Sequence, residues 1–417
     1  MAQLTDDCFA FGGPLMTVEE SAAIMADRVA AVSEVEALAL AGCDGRVLAR
    51  DVMSGLDLPP FANSAVDGYA VRFADLSADG ATRLPVRGRV PAGAVPAGVE
   101  AAGAAVRVFT GAPMPAGADT VFMQEDVGRD GSAVVLPAGL RRGANARPAG
   151  EDIARGALAL PAGRMLRPQD LALAAAVGLA SLPVRRRVRV AVFSTGNELV
   201  EPGRALGPAA IHDSNRVMLA AMVRRAGGTV TDLGILRDEP AGLAIALGDA
   251  AREHDLIVTT GGVSTGEEDH VKAAVERAGR LVSWRIAIKP GRPVAMGVID
   301  GAAFAGLPGN PVAVFVTFLN VVRPLMDRLA GAVRPPVRPL AVRSGFAYRK
   351  KPGRREFVRV TLEDGGDGIA EARKHPRDGA GVITSLTASD GLVVLADDLV
   401  GVAEGDLVPF LGFEQLL

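Results

Sequence analysis

An alternation of short apolar strands and amphipathic helices begins near residue 187 and constrains the fold more than any other feature of the sequence. The segments VRVAVF, VTDLGIL and DLIVTT each predict a strand. Between the first two, SNRVMLAAMVRRAGG predicts a helix whose apolar face carries Leu219, Met222, Val223 and Ala226. Consecutive units of this kind form a parallel sheet covered by helices, which is an α/β domain.

Ligands of such a sheet bind at the carboxyl ends of its strands, where the loops lie. The candidate loops are STGNEL (194–199), RDEP (237–240), GGVSTGEEDH (261–270) and LPGNP (307–311). Glu198 and Asp238 are lone acids in two of these loops, and a lone loop carboxylate is usually solvated. In the last loop, Asn310 and Pro311 also suit the start of a helix. The common position of the acids at one edge of the sheet nevertheless favours a shared site.

The loop 261–270 has the glycine spacing of a phosphate-binding P-loop but the opposite charge. A P-loop requires Lys after its second glycine, whereas Gly266 is followed by three acids, the last of which is Asp269. Ser264 or Thr265 can form a capping box with one of the first two acids, which leaves Asp269 for chemistry. Glycine N–H groups suit an anion, and carboxylates suit a hard divalent cation.

The segment WRIAIKPGRP (284–293) supplies the positive charge that the P-loop position lacks. It contains Arg285, Lys289 and Arg292, and the Pro-Gly pair after Lys289 predicts a turn. Lys and Arg suit oxyanions, and the neighbouring carboxylates suit Mg²⁺. The combination predicts a site for a phosphorylated ligand with Mg²⁺.

The rest of the chain predicts further domains. Residues 17–50 predict helix with Thr17 as N-cap, and a second Ala/Leu-rich helix is predicted near 168–180. Between them, Val-rich runs broken by Pro and Gly predict a small β domain over 55–142. After the Pro-rich linker at 331–339 the pattern is again that of a β domain. Two helical pieces around a β insert indicate one domain interrupted by another.

Composition limits the function classes. A chain of 417 residues exceeds a single ordinary core and predicts two to four domains. The net charge of -3 gives no bulk attraction for nucleic acid. Cys8 and Cys43 form no CxxC pair and the four histidines form no HExxH, which argues against disulfides and a zinc site. Without a signal-peptide pattern or an apolar run of roughly 18 residues, we expect a cytoplasmic protein that does not enter a membrane.

Nine motifs occur together in one order along nearly the whole chain. They are FANSAVDGYAV, FTGAPMPAGADTV, GEDI, FSTGNEL, DSNR, GGVSTGEEDHVK, AIKPGRP, GLPGNPV and GRREFVR. In order and spacing they resemble the molybdopterin molybdenumtransferases, the family of the MoeA proteins and the E domain of gephyrin. Each motif alone is weak evidence, but nine in register are specific.

The resemblance implies an elongated homodimer with four domains in each subunit. They would be a discontinuous helical domain (1–54 and 143–182), an inserted β domain (55–142), a MogA-like molybdopterin-binding domain (183–330) and a C-terminal β-barrel (331–417). It also implies Mg²⁺-dependent insertion of molybdate into adenylylated molybdopterin, which releases AMP and forms molybdenum cofactor. The implied partners are a MogA-type adenylyltransferase and molybdoenzyme maturation factors.

The resemblance further implies roles for individual residues. Catalytic residues would be Asp67, Thr110, Asp152, Glu198, Asp238, Asp269 and Lys289. Glu198, Asp238 and Asp269 would hold the metal, and Arg354, Ser385 and Lys289 would contact molybdate. The substrate would contact Gly261, Gly262, Ser264, Gly266, Arg292, Pro308, Gly309 and Asn310.

The sequence departs from the family pattern at five positions. His270 replaces a common Tyr, Arg285 and Arg292 replace common Lys residues, and Ala313 and Ala380 replace Ser residues. The arginines keep the charge but change the donor geometry. Ala313 removes a hydroxyl that could contact molybdate.

Two other functions stay open at this point. A scaffold protein, as gephyrin-like E domains also are, would tolerate neutral replacements of Asp67, Asp238 and Asp269 without loss of cofactor synthesis. A molybdopterin adenylyltransferase would share the pterin-binding fold, but it would need that single domain alone. The β domains on either side of the α/β region argue against it.

Overall fold

The structure is a computed structural model that describes residues 4–5, 7–9, 15–32, 34–96, 98–237, 239–262 and 270–416. Within those ranges, no helix is both long enough and apolar enough to cross a membrane. The described chain forms an N-terminal unit interrupted by a β insert, then an α/β unit, then a C-terminal barrel.

The first limb of the N-terminal unit contains one helix and two short strands. They are α1 (Val18–Arg28), β1 (Val35–Ala39) and β2 (Val52–Met53). The predicted N-cap of α1 is confirmed, because the Thr17 side chain accepts a hydrogen bond from the Glu20 N–H. The Glu20 carboxylate in turn accepts from the Thr17 N–H. This reciprocal capping box satisfies two backbone donors at the start of the helix.

The helix predicted over 17–50 was wrong beyond Arg28, because residues 35–39 form β1 instead. β1 pairs antiparallel with Ser181–Arg185, and its residues alternate between exposed and half-buried. The run VEALA suits either a helix or a strand, so its local periodicity does not decide between them. The pairing partner, which is far away in the sequence, decides it.

A six-stranded sheet with two short accompanying strands forms the insert. Its strands are β3 (Asn63–Ser64), β4 (Gly68–Val71), β5 (Thr82–Val90), β6 (Ala105–Val108), β7 (Thr120–Met123), β8 (Gly128–Asp130), β9 (Ala133–Leu136) and β10 (Ala146–Arg147). The order β7–β4–β6–β5–β9–β8 confirms the predicted small β domain. At Gly68 an added Cβ would lie 1.8 Å from the Phe122 carbonyl oxygen, so the close pairing of β4 with β7 requires glycine there.

The chain then returns to the N-terminal unit through β11 (Leu158–Leu160), α2 (Pro168–Ala176) and β12 (Ser181–Arg185). β11 pairs with β2, and β12 pairs with β1. Apolar side chains from both limbs, including Leu48, Leu166 and Leu182, form one buried cluster. The two limbs therefore build one unit, and α2 confirms the helix predicted near 168–180.

The α/β unit contains the alternating elements that the sequence predicts. Its strands are β13 (Arg189–Thr195), β14 (Leu199–Val200), β15 (Ile211–His212), β16 (Thr229–Leu236), β17 (Leu256–Thr260), β18 (Gly279–Arg285), β19 (Ile288–Lys289), β20 (Pro293–Ile299) and β21 (Ala302–Leu307). Its helices are α3 (Asn215–Arg225), α4 (Pro240–Glu253), α5 (His270–Ala278), α6 (Pro311–Thr317) and α7 (Arg323–Leu329). A π-helical turn, Phe318–Val322, joins the last two helices.

The central sheet has the order β16–β13–β17–β21–β20–β18. The first four strands are parallel, and the last two are antiparallel additions. Helices α4 and α5 pack on one face, and α3, α6 and α7 pack on the other. Leu219, Met222 and Val223 of α3 are buried as predicted. Because neighbouring strands are parallel, the carboxyl ends of β13, β17 and β21 meet at one edge.

The contacts that join the N-terminal unit to the α/β unit include an apolar one and an ionic one. Helix α1 packs against α7 and buries Met25 in the apolar cluster of the α/β unit. At the amino end of the strands, the Arg186 guanidinium lies 2.9 Å from the fully buried Asp255 carboxylate and 2.8 Å from Glu34. The Asp255 hydrogen bond raises the pKa of Arg186 against the opposing effect of burial. Removing one partner of a buried pair of this kind costs about 3–5 kcal/mol.

The C-terminal unit is a closed barrel of five strands. Its elements are β22 (Leu340–Ser344), β23 (Tyr348–Arg349), β24 (Arg355–Asp364), β25 (Ala370–Lys374), α8 (Thr384–Thr387), β26 (Gly391–Leu395), β27 (Gly401–Val402), β28 (Leu407–Gly412) and α9 (Phe413–Leu416). The order β24–β25–β22–β28–β26 closes because β26 also pairs with β24, which confirms the predicted barrel. Strand β19 pairs in parallel with β24, so backbone hydrogen bonds connect the α/β unit to the barrel.

Candidate active site

A cavity of about 270 Å³ lies at the carboxyl ends of β13, β17 and β21. The loops after these strands, the turn before α3 and one loop of the barrel form its walls. The lining residues are Thr195, Glu198, Leu199, Ile211, His212, Asp213, Ser214, Asn215, Thr260, Gly261, Gly309, Pro311, Gly381 and Ile383. The structure therefore brings three of the four loops singled out in the sequence together in one cavity.

Asn215, the first residue of α3, links two of these loops. Its Nδ2 donates to Thr260 Oγ1 at 3.1 Å and to the Gly309 carbonyl oxygen at 2.7 Å. Thr260 Oγ1 donates in turn to the Pro308 carbonyl oxygen at 3.0 Å. The Asn215 Oδ1 is buried and accepts no hydrogen bond within the described chain. A buried acceptor without a partner costs about 1–3 kcal/mol, so this oxygen is a candidate acceptor for a ligand N–H.

Three hydroxyl groups beside the same strand ends are also buried without partners in the described part of the chain. They belong to Ser194 and Thr195 of β13 and to Thr259 of β17. In the parallel register, Ser194 is opposite Thr260, so these hydroxyls follow two adjacent strands to the same edge. Buried hydroxyls are normally hydrogen-bonded, so that of Thr195, which lines the cavity, is a candidate polar contact for a ligand.

Gly261 and Gly262 form the turn that leaves β17. Their φ angles are 86° and 63°, in the left-handed region that favours glycine. An added Cβ on Gly262 would lie 2.5 Å from Val271 Cγ2, and one on Gly261 would lie 2.9 Å from the Thr195 carbonyl oxygen. Both conformation and space therefore require glycine at these two predicted substrate contacts.

The predicted acids are only partly described by the structure. Asp238 and Asp269 lie outside the described residues, as do the predicted contacts Ser264 and Gly266. Glu198 is exposed, lines the cavity and folds back over Gly196, where an added Cβ would lie 2.7 Å from Glu198 Oε2. Among the residues with assigned positions, no group of three or more His, Cys, Asp or Glu side chains could hold a metal ion.

A buried arginine that the sequence did not single out fixes the turn before α3. Arg216 is 5% exposed and binds Asp213 at 2.8 Å, Glu201 at 2.5 Å and also Asp232. Burial lowers the pKa of Arg216, but the hydrogen bonds that it donates to Asp213 and Asp232 raise it more. Asp213 lines the cavity, so the ion pair holds one wall in place.

Lys289 lies where the α/β unit meets the barrel. Its Nζ donates to Glu356 Oε2 at 3.0 Å and to the Tyr348 hydroxyl at 3.3 Å. Tyr348 donates to the same carboxylate oxygen at 2.7 Å, and Glu356 is 2% exposed. Burial lowers the pKa of Lys289, but Glu356 and Tyr348 raise it above its ordinary value. Lys289 therefore stays cationic at neutral pH, although it is not one of the residues that line the cavity.

A second arginine that the sequence did not single out lies beside Ser385 in the barrel. Arg359 is 6% exposed and donates from Nε to Ser385 Oγ at 3.0 Å and from Nη2 to the Arg377 carbonyl oxygen at 3.1 Å. No carboxylate of a described residue pairs with it within ion-pair distance. Burial lowers the pKa of Arg359. The barrel loop that Arg359 contacts includes Gly381 and Ile383 of the cavity wall. The predicted Arg354 directly precedes β24 and is half-buried.

The remaining predicted positions have simpler surroundings. Arg285 and Arg292 are exposed. Asn310 stands at the N-cap of α6 with Pro311 in the first turn, but its side chain makes no capping hydrogen bond. Of the departures, Ala313 is buried at 4% exposure, and the Ala380 carbonyl oxygen accepts from the Val312 N–H at 3.0 Å. That bond connects α6 to the barrel loop. His270 is the first residue of α5.

The insert brings two predicted residues into direct contact. Asp67 Oδ1 accepts from the Thr110 N–H at 2.8 Å and from Thr110 Oγ1 at 2.9 Å. These bonds lower the pKa of Asp67, the backbone bond most. Asp152 is exposed, and its N–H donates to the Leu58 carbonyl oxygen. Among the described residues, no hydrogen bond joins this insert to the α/β unit, so Asp67 and Thr110 form a second cluster apart from the cavity.

Three family models match consecutive parts of the chain. Residues 16–178 match the MoeA N-terminal region (domain I and II), 191–328 match a probable molybdopterin binding domain, and 341–413 match the MoeA C-terminal region (domain IV). Together with the α/β cavity and the barrel, these matches define a multidomain protein built around a molybdopterin-binding fold.

Relatives and solved structures agree with the family models over nearly the full length. The chain is 35% identical to the molybdopterin molybdenumtransferase of Haemophilus influenzae over 97% of this chain and 100% of the relative. It is 36% identical to molybdopterin molybdenumtransferase 2 of Mycobacterium tuberculosis over 94% and 98%. A molybdopterin biosynthesis MoeA protein from Pyrococcus horikoshii has a TM-score of 0.80 at 31% identity, covering 95% and 99%. The chain belongs to the molybdopterin molybdenumtransferase (MoeA) family.

The Asp67–Thr110 contact leads to a titration prediction. We expect Thr110→Val to raise the pKa of Asp67 toward its ordinary value, because the side-chain hydrogen bond is lost while the backbone N–H still donates. Carboxyl-carbon NMR titration of the variant measures this change, with Asp75 as an internal control because Arg72 holds its pKa low. An unchanged Asp67 titration would contradict the described contact.

Proposed function

We propose that the protein inserts molybdate into adenylylated molybdopterin, releases AMP and forms molybdenum cofactor. The observation that carries the proposal is the cavity at the carboxyl ends of the strands, where Asn215 Oδ1 and the Thr195 hydroxyl belong to lining residues and are buried without partners in the described chain. A pterin presents ring N–H and carbonyl groups that can use such acceptors and donors. The family relationship supports the same substrate class.

In this proposal the α/β unit binds the pterin. The glycine turn at 261–262 lets the backbone approach the ligand closely, since neither position tolerates a Cβ. The Asn215 amide sets the positions of the loops after β17 and β21 through its two hydrogen bonds. The Arg216 ion pairs hold Asp213 in the opposite wall. These residues bind and orient the substrate before any bond changes.

The barrel supplies the oxyanion end. Arg359 is a buried cation with no paired carboxylate in the described chain, and Ser385 Oγ lies beside it at 3.0 Å. A guanidinium suits a tetrahedral oxyanion such as molybdate, and the Ser385 hydroxyl, which donates to the Val382 carbonyl oxygen at 2.6 Å, would turn to the oxyanion on binding. Lys289 adds a second cation at the junction of the α/β unit and the barrel. We therefore assign Ser385 to molybdate binding, as the family resemblance implies. We also propose Arg359 as a molybdate contact in addition to Arg354.

We include Mg²⁺ in the proposal on the basis of its donor set. Glu198, which lines the cavity, is an oxygen donor of the kind that Mg²⁺ takes, and Asp238 and Asp269 are the further acids that the resemblance implies. Bound Mg²⁺ would neutralise charge on the phosphoanhydride that is cleaved. The Glu198 carboxylate, held over Gly196, would face the metal from the loop after β13.

A homodimer would complete the site. Asp67 and Thr110 belong to an insert that makes no described hydrogen bond to the α/β unit of its own chain. A two-fold dimer can place the insert of one subunit over the cavity of its partner and so form two composite sites. A MogA-type adenylyltransferase would supply the substrate, and molybdoenzyme maturation factors would receive the product.

The first functional prediction concerns AMP release. Incubation with adenylylated molybdopterin, molybdate and Mg²⁺ should release AMP, and excess chelator should stop it. Glu198→Gln and Asp269→Asn should each lower the rate roughly tenfold or more, because each removes a carboxylate charge from the metal. Glu276→Gln, an exposed acid of α5, is the matched control and should keep the rate. Full turnover in chelator contradicts the metal role, and no AMP from the wild-type protein contradicts the function.

The second prediction separates the two arginines of the barrel. Arg359→Gln should raise the molybdate concentration needed for half-maximal AMP release about tenfold or more, with little change in affinity for the adenylylated pterin. Arg354→Gln should change it less, because Arg359 and not Arg354 lies beside Ser385. Arg343→Gln, whose side chain pairs with Asp367, controls for loss of positive charge in the barrel. An equal loss of affinity for both substrates in Arg359→Gln would count against the molybdate role.

The third prediction concerns the composite site. A purified mixed dimer with Asp67→Ala in one subunit and Asp269→Asn in the other should contain one intact site and retain about half the activity. A dimer with both substitutions in the same subunit should be inactive, because each shared site then contains one substituted residue, whereas sites that lie within one chain would leave the unsubstituted subunit active. The comparison of the two dimers by AMP release decides the model. Equal inactivity of the mixed dimer and of either homodimer would exclude sites shared between subunits.

A further inference from the structure

Two arginines of the insert are direct neighbours across the sheet. Arg89 of β5 and Arg107 of β6 are register partners in the parallel pairing of these strands, and Tyr69 of β4 is the next partner in the same row. Strands in a sheet lie about 4.8 Å apart, so these side chains start close together. Like charges in directly opposite positions destabilise a sheet.

An aromatic ring holds both guanidinium groups. The Arg89 guanidinium carbon lies 4.6 Å from the centre of the Phe109 ring, and that of Arg107 lies 4.9 Å from the same centre. Arg107 also lies 5.1 Å from the ring centre of Tyr69. Cation–π contacts favour each guanidinium singly, but they do not cancel the repulsion between the two.

Neither arginine has a carboxylate partner among the described residues. Arg107 donates to the Gly68 carbonyl oxygen and to Gln124 Oε1, and Arg89 makes no hydrogen bond or ion pair within the described chain. Other arginines of the insert behave differently, since Arg83 binds Asp130 at 2.7 Å and Arg142 binds Asp119 at 2.8 Å. Arg107 contributes to the low pKa of the nearby Asp67, but no carboxylate of a described residue lies within ion-pair distance of either guanidinium.

The row adjoins the cluster that the family resemblance marks as functional. Phe109 directly precedes Thr110, whose N–H and hydroxyl donate to Asp67. Arg107 binds the carbonyl oxygen of Gly68, the residue after Asp67. The two guanidinium groups and the Asp67–Thr110 pair consequently lie at the same end of β4 and β6.

We infer that Arg89 and Arg107, held by Phe109, form a subsite for a tetrahedral oxyanion beside Asp67 and Thr110. A guanidinium has five N–H donors in a planar fork, and a tetrahedral dianion can accept from two such forks at once and neutralise both charges. A planar monocarboxylate would neutralise only one. The inference rests on the proposed function, in which the dianion is either the phosphoryl group released as AMP or molybdate. The composite dimer would bring this subsite to the partner's cavity.

Binding to the full-length protein tests the inference without turnover. Isothermal titration with AMP, adenosine, inorganic phosphate and molybdate is carried out on the wild-type protein and on Arg89→Gln, Arg107→Gln and Arg83→Gln. Arg83→Gln is the control, because it removes the same charge as Arg89→Gln from the same strand. Arg83 itself pairs with Asp130 and lies outside the proposed subsite. We expect the first two variants to lose roughly tenfold or more in affinity for the bound oxyanion, and the Arg83 variant to lose about twofold at most.

The four probes identify the source of the oxyanion. Tight AMP binding that the Arg89 and Arg107 substitutions weaken, with no binding of adenosine, assigns the phosphoryl group. Loss confined to molybdate assigns molybdate. Equal affinities of all four proteins for every probe would overturn the subsite. Adenosine binding as tightly as AMP would also overturn it, because the base and not the anion would then carry the affinity.

The thermal unfolding temperature of each variant shows whether a loss of binding comes from a folding defect. Without ligand, Arg89→Gln should unfold at the same temperature as the wild-type protein or higher, because a like-charge contact is removed. The rise in unfolding temperature that the oxyanion causes in the wild-type protein should be absent from the variant. A variant that still shows the full rise contradicts the subsite. If the wild-type protein releases AMP but the variants bind the oxyanion normally, the subsite is wrong and the proposed function stands. If the variants bind more weakly but the wild-type protein releases no AMP, the proposed function is wrong and the subsite stands.

Discussion

The parallel alignment of β13, β17 and β21 is the constraint on which the rest of the structure depends. Parallel strands end at the same edge of the sheet, so the loops that follow them are brought together whatever their distance in the sequence. At the opposite edge, the buried Asp255 carboxylate binds Arg186 and the Arg189 N–H, which joins the start of β17 to the start of β13. Through Glu34, the same arginine also connects the N-terminal unit.

The candidate site combines firmly held charges with unpaired polar atoms. Arg216 binds three carboxylates and therefore contributes to a fixed wall rather than to ligand binding. Asn215 Oδ1 and the hydroxyls of Ser194, Thr195 and Thr259 are buried without partners in the described chain, and each costs folding free energy. Asn215 and Thr195 line the cavity, so a ligand that forms hydrogen bonds with their side chains would recover part of that cost on binding. The ion pairs of Arg216 therefore fix one wall of the cavity, while the unpaired polar atoms stay available for a ligand.

Positive charge is divided among three structural units in a way that suits an anionic substrate. Arg359 is buried in the barrel beside Ser385, Lys289 lies between the barrel and the α/β unit, and Arg89 with Arg107 lies on the insert. Lys289 is paired with Glu356, whereas the three arginines have no carboxylate partner among the residues with assigned positions. The net charge of -3 gives no sign of these local cations, which only their positions in the folded chain reveal.

Much of the fold and part of the site could be predicted from the sequence. The strand-helix alternation predicted the α/β unit, the Val-rich runs predicted the β insert and barrel, and the glycines at 261–262 were placed at a strand end. Asp67 and Thr110, named separately, proved to be hydrogen-bonded to each other. The helix predicted through residues 35–39 failed because a short Ala/Leu run has no period of its own.

The sequence by itself determined which segments are strands and helices over most of the chain, and it determined that polar loops follow the buried strands. These properties are local, because side-chain periodicity and glycine conformation act within a few residues. Tertiary structure decided that Arg359 rather than Arg354 lies beside Ser385, that Asn215 joins two loops, and that Arg89 is opposite Arg107. Those contacts join residues distant in sequence, and the energy of an ion pair or hydrogen bond depends on the distance and burial that only the folded chain provides.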